Sequence, residues 1–179
     1  IFRKLALKEL THLEVDSKYM QVSQTSMLAT FQKMTKLKTL QLYLNDRARN
    51  GYKLILLEVT ALKVSACDGA TISQFVVPNL TVLSLKNINS KTLVQAFPEL
   101  MKHVKVLQVK KSTIPECIES KTLEVFDCDY NPELKKLDTP HLKQVHLQQN
   151  LDVHYPELQA GSFTRNPTHS PYDYTFFFG

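Results

Sequence analysis

The chain has 179 residues, 43% of them hydrophobic and 22% charged, with a formal net charge of +5 and no tryptophan. That apolar content supports one domain with a continuous core and excludes a disordered chain. Four glycines are too few and too scattered for phosphate loops, dinucleotide fingerprints or nucleophile elbows. No apolar run nears the roughly 18 residues that a bilayer-spanning helix needs, so the chain reads as soluble. Its opening segment, IFRKLALKEL, is amphipathic rather than a leader, so a fragment of a larger protein is expected.

In chain order, one pattern recurs seven times: apolar-x-x-apolar-x-apolar. It appears as Leu10/Leu13/Val15, Leu37/Leu40/Leu42, Val59/Leu62/Val64, Leu80/Leu83/Leu85, Val104/Leu107/Val109, Leu123/Phe126/Cys128 and Leu142/Val145/Leu147. The starts, near 10, 37, 59, 80, 104, 123 and 142, lie 19 to 27 residues apart. That is the period of a solenoid in which each turn lays down one short strand and loops back. The alternation within each unit has period two, so the named residues face inward and those between them face outward. Every strand is followed by a return, which makes the strands parallel.

The returns differ along the chain. Residues 22–34 place Met27, Leu28, Phe31 and Met34 at helical spacing. Residues 90–103 start at Ser90, a candidate N-cap, and carry Leu93, Phe97, Leu100 and Met101 on one face. Helices are expected in both. The later returns contain Ile114-Pro115, Pro132, Leu134, Leu137 and Pro140, and a 19-residue repeat leaves no room for a helix beside its strand, so turns or short extended segments are expected there. Residues 151–160 read as a terminal turn with Leu151, Val153, Tyr155 and Leu158. Residues 161–179, which end in Phe176, Phe177 and Phe178, read as a solvated tail unless the three phenylalanines dock.

Ninth in each unit stand Asn45, Cys67, Ser112, Asn131 and Asn150, with Lys18 and Ile88 as exceptions. A small donor at this position can satisfy backbone carbonyls where the chain leaves the strand. With that signature, L-x-x-L-x-L-x-x-N/C over residues 10 to 150, the chain resembles the leucine-rich repeat (LRR) family. LKTLQLYLN, LEVFDCDYN and LKQVHLQQN carry the likeness best, and the irregular repeat lengths resemble intracellular members. The resemblance implies an α/β LRR solenoid of about seven repeats over residues 1–160. A curved parallel sheet would form its concave face, with helices and loops on the convex side.

The outward residues of such strands fall into three ladders. The first holds His12, Thr39, Ala61, Val82, Val106, Val125 and Gln144; the second Glu14, Gln41, Lys63, Ser84, Gln108, Asp127 and His146; the third Asp16, Tyr43, Ser65, Lys86, Lys110, Asp129 and Gln148. They predict a basic centre at Lys63, Lys86, Lys110 and Lys111, acidic ends at Glu14 with Asp16 and at Asp127 with Asp129, and an apolar stripe of Val82, Val106 and Val125. Tyr43, Gln108 and His146 complete the candidate protein-binding set. Apolar anchors beside complementary charge suit a specific protein interface.

Other chemistries fit poorly. Lysines and arginines are dispersed and no nucleic-acid motif appears, so nucleic-acid binding is not expected. The histidines His12, His103, His141, His146, His154 and His169 are scattered without a catalytic set, so no enzyme activity and no cofactor are expected. Cys117, Cys128, His141 and His146 form no convincing zinc set, because Cys128 takes an inward position. Three cysteines without terminal clustering suit a reducing compartment, cytoplasmic or nuclear. Asn79-Leu80-Thr81 is formally a glycosylation acceptor, but it opens a packed strand.

Two family contexts are implied. Residues 62–75, LKVSACDGATISQF, and 80–109 resemble the strand, turn and helix layout of the substrate-recognition domain in F-box ubiquitin-ligase adaptors. That context implies Skp1 and cullin subunits as partners through a region outside this chain. LEVFDCDYNPELKKLDTPHLKQVHL resembles the ligand-sensing LRR domain of plant-type nucleotide-binding immune receptors. A non-enzymatic LRR scaffold is the third reading, and in all three a protein ligand occupies the concave face.

Overall fold

A computed structural model describes residues 7–16, 29–31, 33–44, 52–66, 72–88, 91–129, 131, 133–148, 163–164 and 173–177. Lys18, Asn45, Cys67, Ser90, Asn150, Met27, Leu28 and the terminal turn at 151–160 lie outside them.

The seven apolar patterns all become strands: β1 (His12–Asp16), β2 (Thr39–Leu44), β4 (Ala61–Ala66), β6 (Val82–Lys86), β7 (Val106–Lys110), β9 (Val125–Asp129) and β11 (Gln144–Gln148). They pair in that order, each parallel to the next. Alternation drives this arrangement: Leu40, Leu62, Leu83, Leu107, Phe126 and Val145 are each at most 1% exposed, and a strand with one apolar face is stable only when that face is covered.

The same backbone link joins each turn to the next. The carbonyl of Thr11 accepts from the amides of Lys38 and Thr39, that of Lys38 from Thr60 and Ala61, and that of Thr60 from Thr81 and Val82. Thr81, Lys105 and Glu124 continue the series to Gln144. The backbone groups at each strand entry are therefore satisfied by the neighbouring turn rather than by the turn itself.

The returns are less helical than an α/β architecture requires. One α-helix is described in full, α1 (Lys91–Leu100), residues 29–31 are helical, and Leu7–Glu9 form a short 3-10 turn. As its spacing predicts, α1 buries Leu93, Phe97 and Leu100, and Met101 follows them into the core. Four turns instead return through short strands: β3 (Tyr52–Ile55), β5 (Ile72–Val76), β8 (Cys117–Glu119) and β10 (Lys136–Asp138). β3 pairs in parallel with β5, and β8 with β10. The fold is therefore a parallel-sheet solenoid with few helices. For the returns at Ile114-Pro115 and from Pro132 to Pro140 the sequence predicts turns or short extended segments, and β8 and β10 are extended: beside a five-residue strand, 19 residues leave no room for a helix.

The return layer supplies the other half of the core through Leu54, Leu56, Phe75, Val77, Ile114, Ile118, Leu134 and Leu137. Ser120 and Thr122 tie the end of α1 to the next turn, since both hydroxyls donate to the Met101 carbonyl and Thr122 Oγ1 also reaches the Val104 carbonyl at 2.9 Å.

Of the small ninth-position residues, Ser112 and Asn131 fall within the described chain and act as the ladder reading requires. Ser112 Oγ donates to the Lys110 carbonyl at 3.0 Å and accepts from the Ile88 amide at 3.1 Å. Asn131 Nδ2 donates to the Asp129 carbonyl at 3.4 Å. One residue before this position the chain turns left-handed, at Asn87 (φ 55) and Lys111 (φ 48). Asparagine takes that conformation readily, whereas lysine holds it against steric preference.

The tail adds two strands, β12 (Phe163–Thr164) and β13 (Asp173–Phe177). β13 runs antiparallel along β11, pairing Gln144 with Phe177 and Gln148 with Asp173, and β12 pairs with β13. The last parallel strand therefore does not end as a bare edge.

Thr139 is 2% exposed, and its Oγ1 has no hydrogen-bond partner among the described residues. Replacing it with the near-isosteric valine removes a buried, unpaired hydroxyl. Thr139→Val is expected to stabilise the fold by about 1 kcal/mol, read as a higher denaturation midpoint at unchanged slope.

Candidate functional site

The parallel register assembles the three outward ladders. Ala61, Val82, Val106 and Val125 are successive partners in the first; Lys63, Ser84, Gln108, Asp127 and His146 in the second; Tyr43, Ser65, Lys86, Lys110 and Asp129 in the third. Position within the repeat decides this outcome, because each strand begins two residues after its first core residue.

A shallow depression of about 300 Å³ opens on this face, lined by Lys63, Ser84, Lys86, Gln108, Lys110, Asp127, Asp129 and His146, with Leu85 and Val109 beneath. Most of the predicted polar set therefore gathers around one feature. Ser84, which sequence reasoning left out of the candidate set, joins them; its place between Lys63 and Gln108 in the second ladder was the available signal.

The charge arrangement differs from a basic centre between acidic ends. Lys110 Nζ lies 2.6 Å from Asp129 Oδ2, and His146 Nδ1 lies 3.1 Å from Asp127 Oδ1. These two aspartates sit within the depression and pair with its groups, because β9 packs directly against β7 and β11. The hydrogen bond and the charge of Asp129 hold the Lys110 ammonium above its ordinary value of 10.5. A raised lysine pKa stabilises the fold below 10.5, and that increment is lost as pH rises through the folded-state value. Among the described residues, Lys63 and Lys86 have no ion-pair partner, and both are exposed.

The remaining candidates lie around this centre or away from it. Val82, Val106 and Val125 are half-buried and form the expected stripe along the strand entries. Tyr43 lies outside the depression, where its hydroxyl accepts from Gln41 Nε2. Lys111 does not line the depression: its left-handed backbone places it in the turn after β7, where its amide donates to the Asp129 carbonyl at 3.1 Å. Glu14 is exposed on β1, far across the sheet order from Asp127.

A second charge array follows the strand entries. Glu124 takes Lys143 at 2.6 Å and Lys105 at 3.2 Å, and their hydrogen bonds and charges hold its carboxyl below the ordinary 4.5. These exposed pairs link three successive turns. Surface pairs of this type contribute little individually.

Cys128 is fully buried, and among the described residues no group of three or more His, Cys, Asp or Glu side chains is placed to hold a metal. Among them too, no helix is long and apolar enough to cross a membrane. No family model matches the chain, and neither a curated protein nor a solved structure matches it. The class that can be stated is that of a repeat protein built as a parallel-sheet solenoid.

Proposed function

We propose that the outward face of the sheet binds a protein ligand, and that the depression around Lys63 and Lys86 is its charged anchor. The observation that carries this reading is the pair of lysines without ion-pair partners among the described residues, set beside a partly exposed valine stripe. Desolvated charge pairs orient a partner and contribute strongly when the partner supplies the opposite charge. Binding is expected to fall at least about tenfold when Lys63→Glu and Lys86→Glu are combined, and to be unchanged by Lys135→Glu in the return layer. Affinity capture with quantitative mass spectrometry checks this, and a partner retained equally by all three proteins would remove the face from consideration.

The more specific role proposed is that of the substrate-recognition LRR region of an F-box ubiquitin-ligase adaptor in the cytoplasm or nucleus. Supporting it are the seven-fold LRR-like pattern, the likeness of the sequence of residues 62–75 to that family's strand-and-turn segments, and the helical return α1 after β6. The strand returns β8 and β10 favour the alternative, the ligand-sensing domain of a plant-type nucleotide-binding immune receptor. Co-purification of the full-length protein with Skp1 and cullin subunits supports the adaptor, nucleotide binding by the full-length protein supports the receptor, and neither result supports a plain scaffold.

A further inference from the structure

We infer that the occupant of this face is an amphipathic α-helix with an acidic flank, lying across the strands along the solenoid axis. The inference rests on the protein-binding reading above and adds the partner's shape and charge. Three observations carry it: the valine stripe, the lysines at the opposite ends of the same strands, and the distances set by the sheet.

Val82, Val106 and Val125 are direct partners on β6, β7 and β9. Adjacent strands lie about 4.8 Å apart, so the stripe repeats at that interval and spans about 10 Å. An α-helix presents side chains on one face once per turn, about every 5.4 Å, and two turns cover about 10.8 Å. An extended chain presents same-side residues about every 6.8 Å, and two intervals cover about 13.6 Å. Over three strands the helix stays within about 1 Å of the stripe and the extended chain falls out of step by nearly 4 Å.

The width agrees as well. Lys86 stands four residues beyond Val82 on β6, and Lys110 four beyond Val106 on β7. At about 3.3 Å per residue, valine stripe and lysine row lie about 13 Å apart, close to the 10–12 Å diameter of a helix with its side chains. A helix seated over Ser84 and Gln108 thus places one side on the valines and the other over the lysines. Lys110 is matched by Asp129, while Lys86 in the same row remains for the partner and Lys63, in the Ser84 row one strand earlier, adds charge at the helix end, so the lysine-facing flank must be acidic. Glutamates at spacing i, i+4 meet this requirement on one helix side.

The test uses the purified chain and synthetic probes read by fluorescence anisotropy. The first probe is an amphipathic helix-forming peptide with a leucine stripe and a glutamate flank. The second carries lysines in place of the glutamates, the third is the glutamate peptide with a central proline, and the fourth is a mixed-sequence single-stranded oligonucleotide.

The glutamate helix is expected to bind at least about tenfold more tightly than the lysine helix or the proline-interrupted peptide. Lys86→Glu and Val106→Asp should each weaken it by about tenfold, and Lys86→Glu should recover affinity for the lysine helix. Lys63→Glu provides an independent charge test, with circular dichroism checking that each variant folds. Equal binding of the proline-interrupted peptide would overturn the helical occupant and leave the face reading standing. Unchanged binding in Lys63→Glu, Lys86→Glu and Val106→Asp would overturn both. Binding of the oligonucleotide alone, or of no probe, overturns the inference.

Discussion

Phe126→Ala is expected to destabilise the solenoid by about 3–5 kcal/mol, the largest effect of any single change considered. Phe126 is fully buried on β9, and its strand partners Leu107 and Val145 are fully buried as well. Removing the ring leaves a cavity bounded on both sides by neighbouring turns, and the parallel ladders prevent those turns from collapsing into it. A domain of this size is stable by only about 5–15 kcal/mol, so the loss is a large share of the total. Because each turn packs chiefly on its neighbours, the damage should spread along the stack rather than across it. Hydrogen exchange is expected to speed up in β7, β9 and β11 more than in β1 and β2, and chemical denaturation should show a lower midpoint. A loss below 1 kcal/mol would mean that β9 does not seat its ring in the core.

Asn131→Ala is expected to cost about 1–3 kcal/mol through loss of hydrogen bonds rather than of volume. Asn131 is buried, and its amide donates to the Asp129 carbonyl and, at 3.3 Å, to Cys128 Sγ. Alanine cannot replace these bonds, and the Asp129 carbonyl keeps only the Lys111 amide as a donor. Asp129 also holds Lys110 at the depression, so freeing its backbone disturbs that ion pair on the outward face. Two readouts should therefore move together: unfolding at lower denaturant, and weaker binding of a face-directed ligand. Ser112→Ala is the matched comparison, since Ser112 bonds the Lys110 carbonyl from the same place in the preceding turn. Weaker stability without any change in ligand binding would separate the turn ladder from the face.

Strand positions were legible because the information is local. Leu83 and Leu85, like Leu107 and Val109, mark inward positions two residues apart, and the repeated start of each unit aligns one strand with the next. The three ladders follow from that alignment, as does the buried face of α1 from its 3.6-residue spacing. The character of the returns was only partly legible. Ile72–Val76 carries too few residues to reveal a strand by periodicity, and it extends because β3 offers it a partner.

The candidate site was legible by position and not by charge state. The ladders place Lys63, Lys86, Lys110, Asp127 and Asp129 on one face, but they assign Asp129 to an acidic end, whereas it pairs with Lys110. Which lysine an aspartate neutralises depends on side chains meeting across adjacent strands, 19 residues apart in the chain. Lys111 lies outside the depression for a backbone reason: it follows Lys110 directly, but it is itself left-handed and sits in the turn after β7. Glu124 illustrates the same limit, since Lys105 and Lys143 come from the turns on either side of it.

The amino-acid sequence alone determined the repeat, the strand register and the sorting of residues into core and face, because apolar periodicity acts through each residue's immediate neighbours. Only the tertiary structure decided which lysines keep their charge uncompensated, which returns become strands, and that β13 lies along β11. Those outcomes depend on groups that stacking brings together from separate turns, and no local pattern records which pairs will meet.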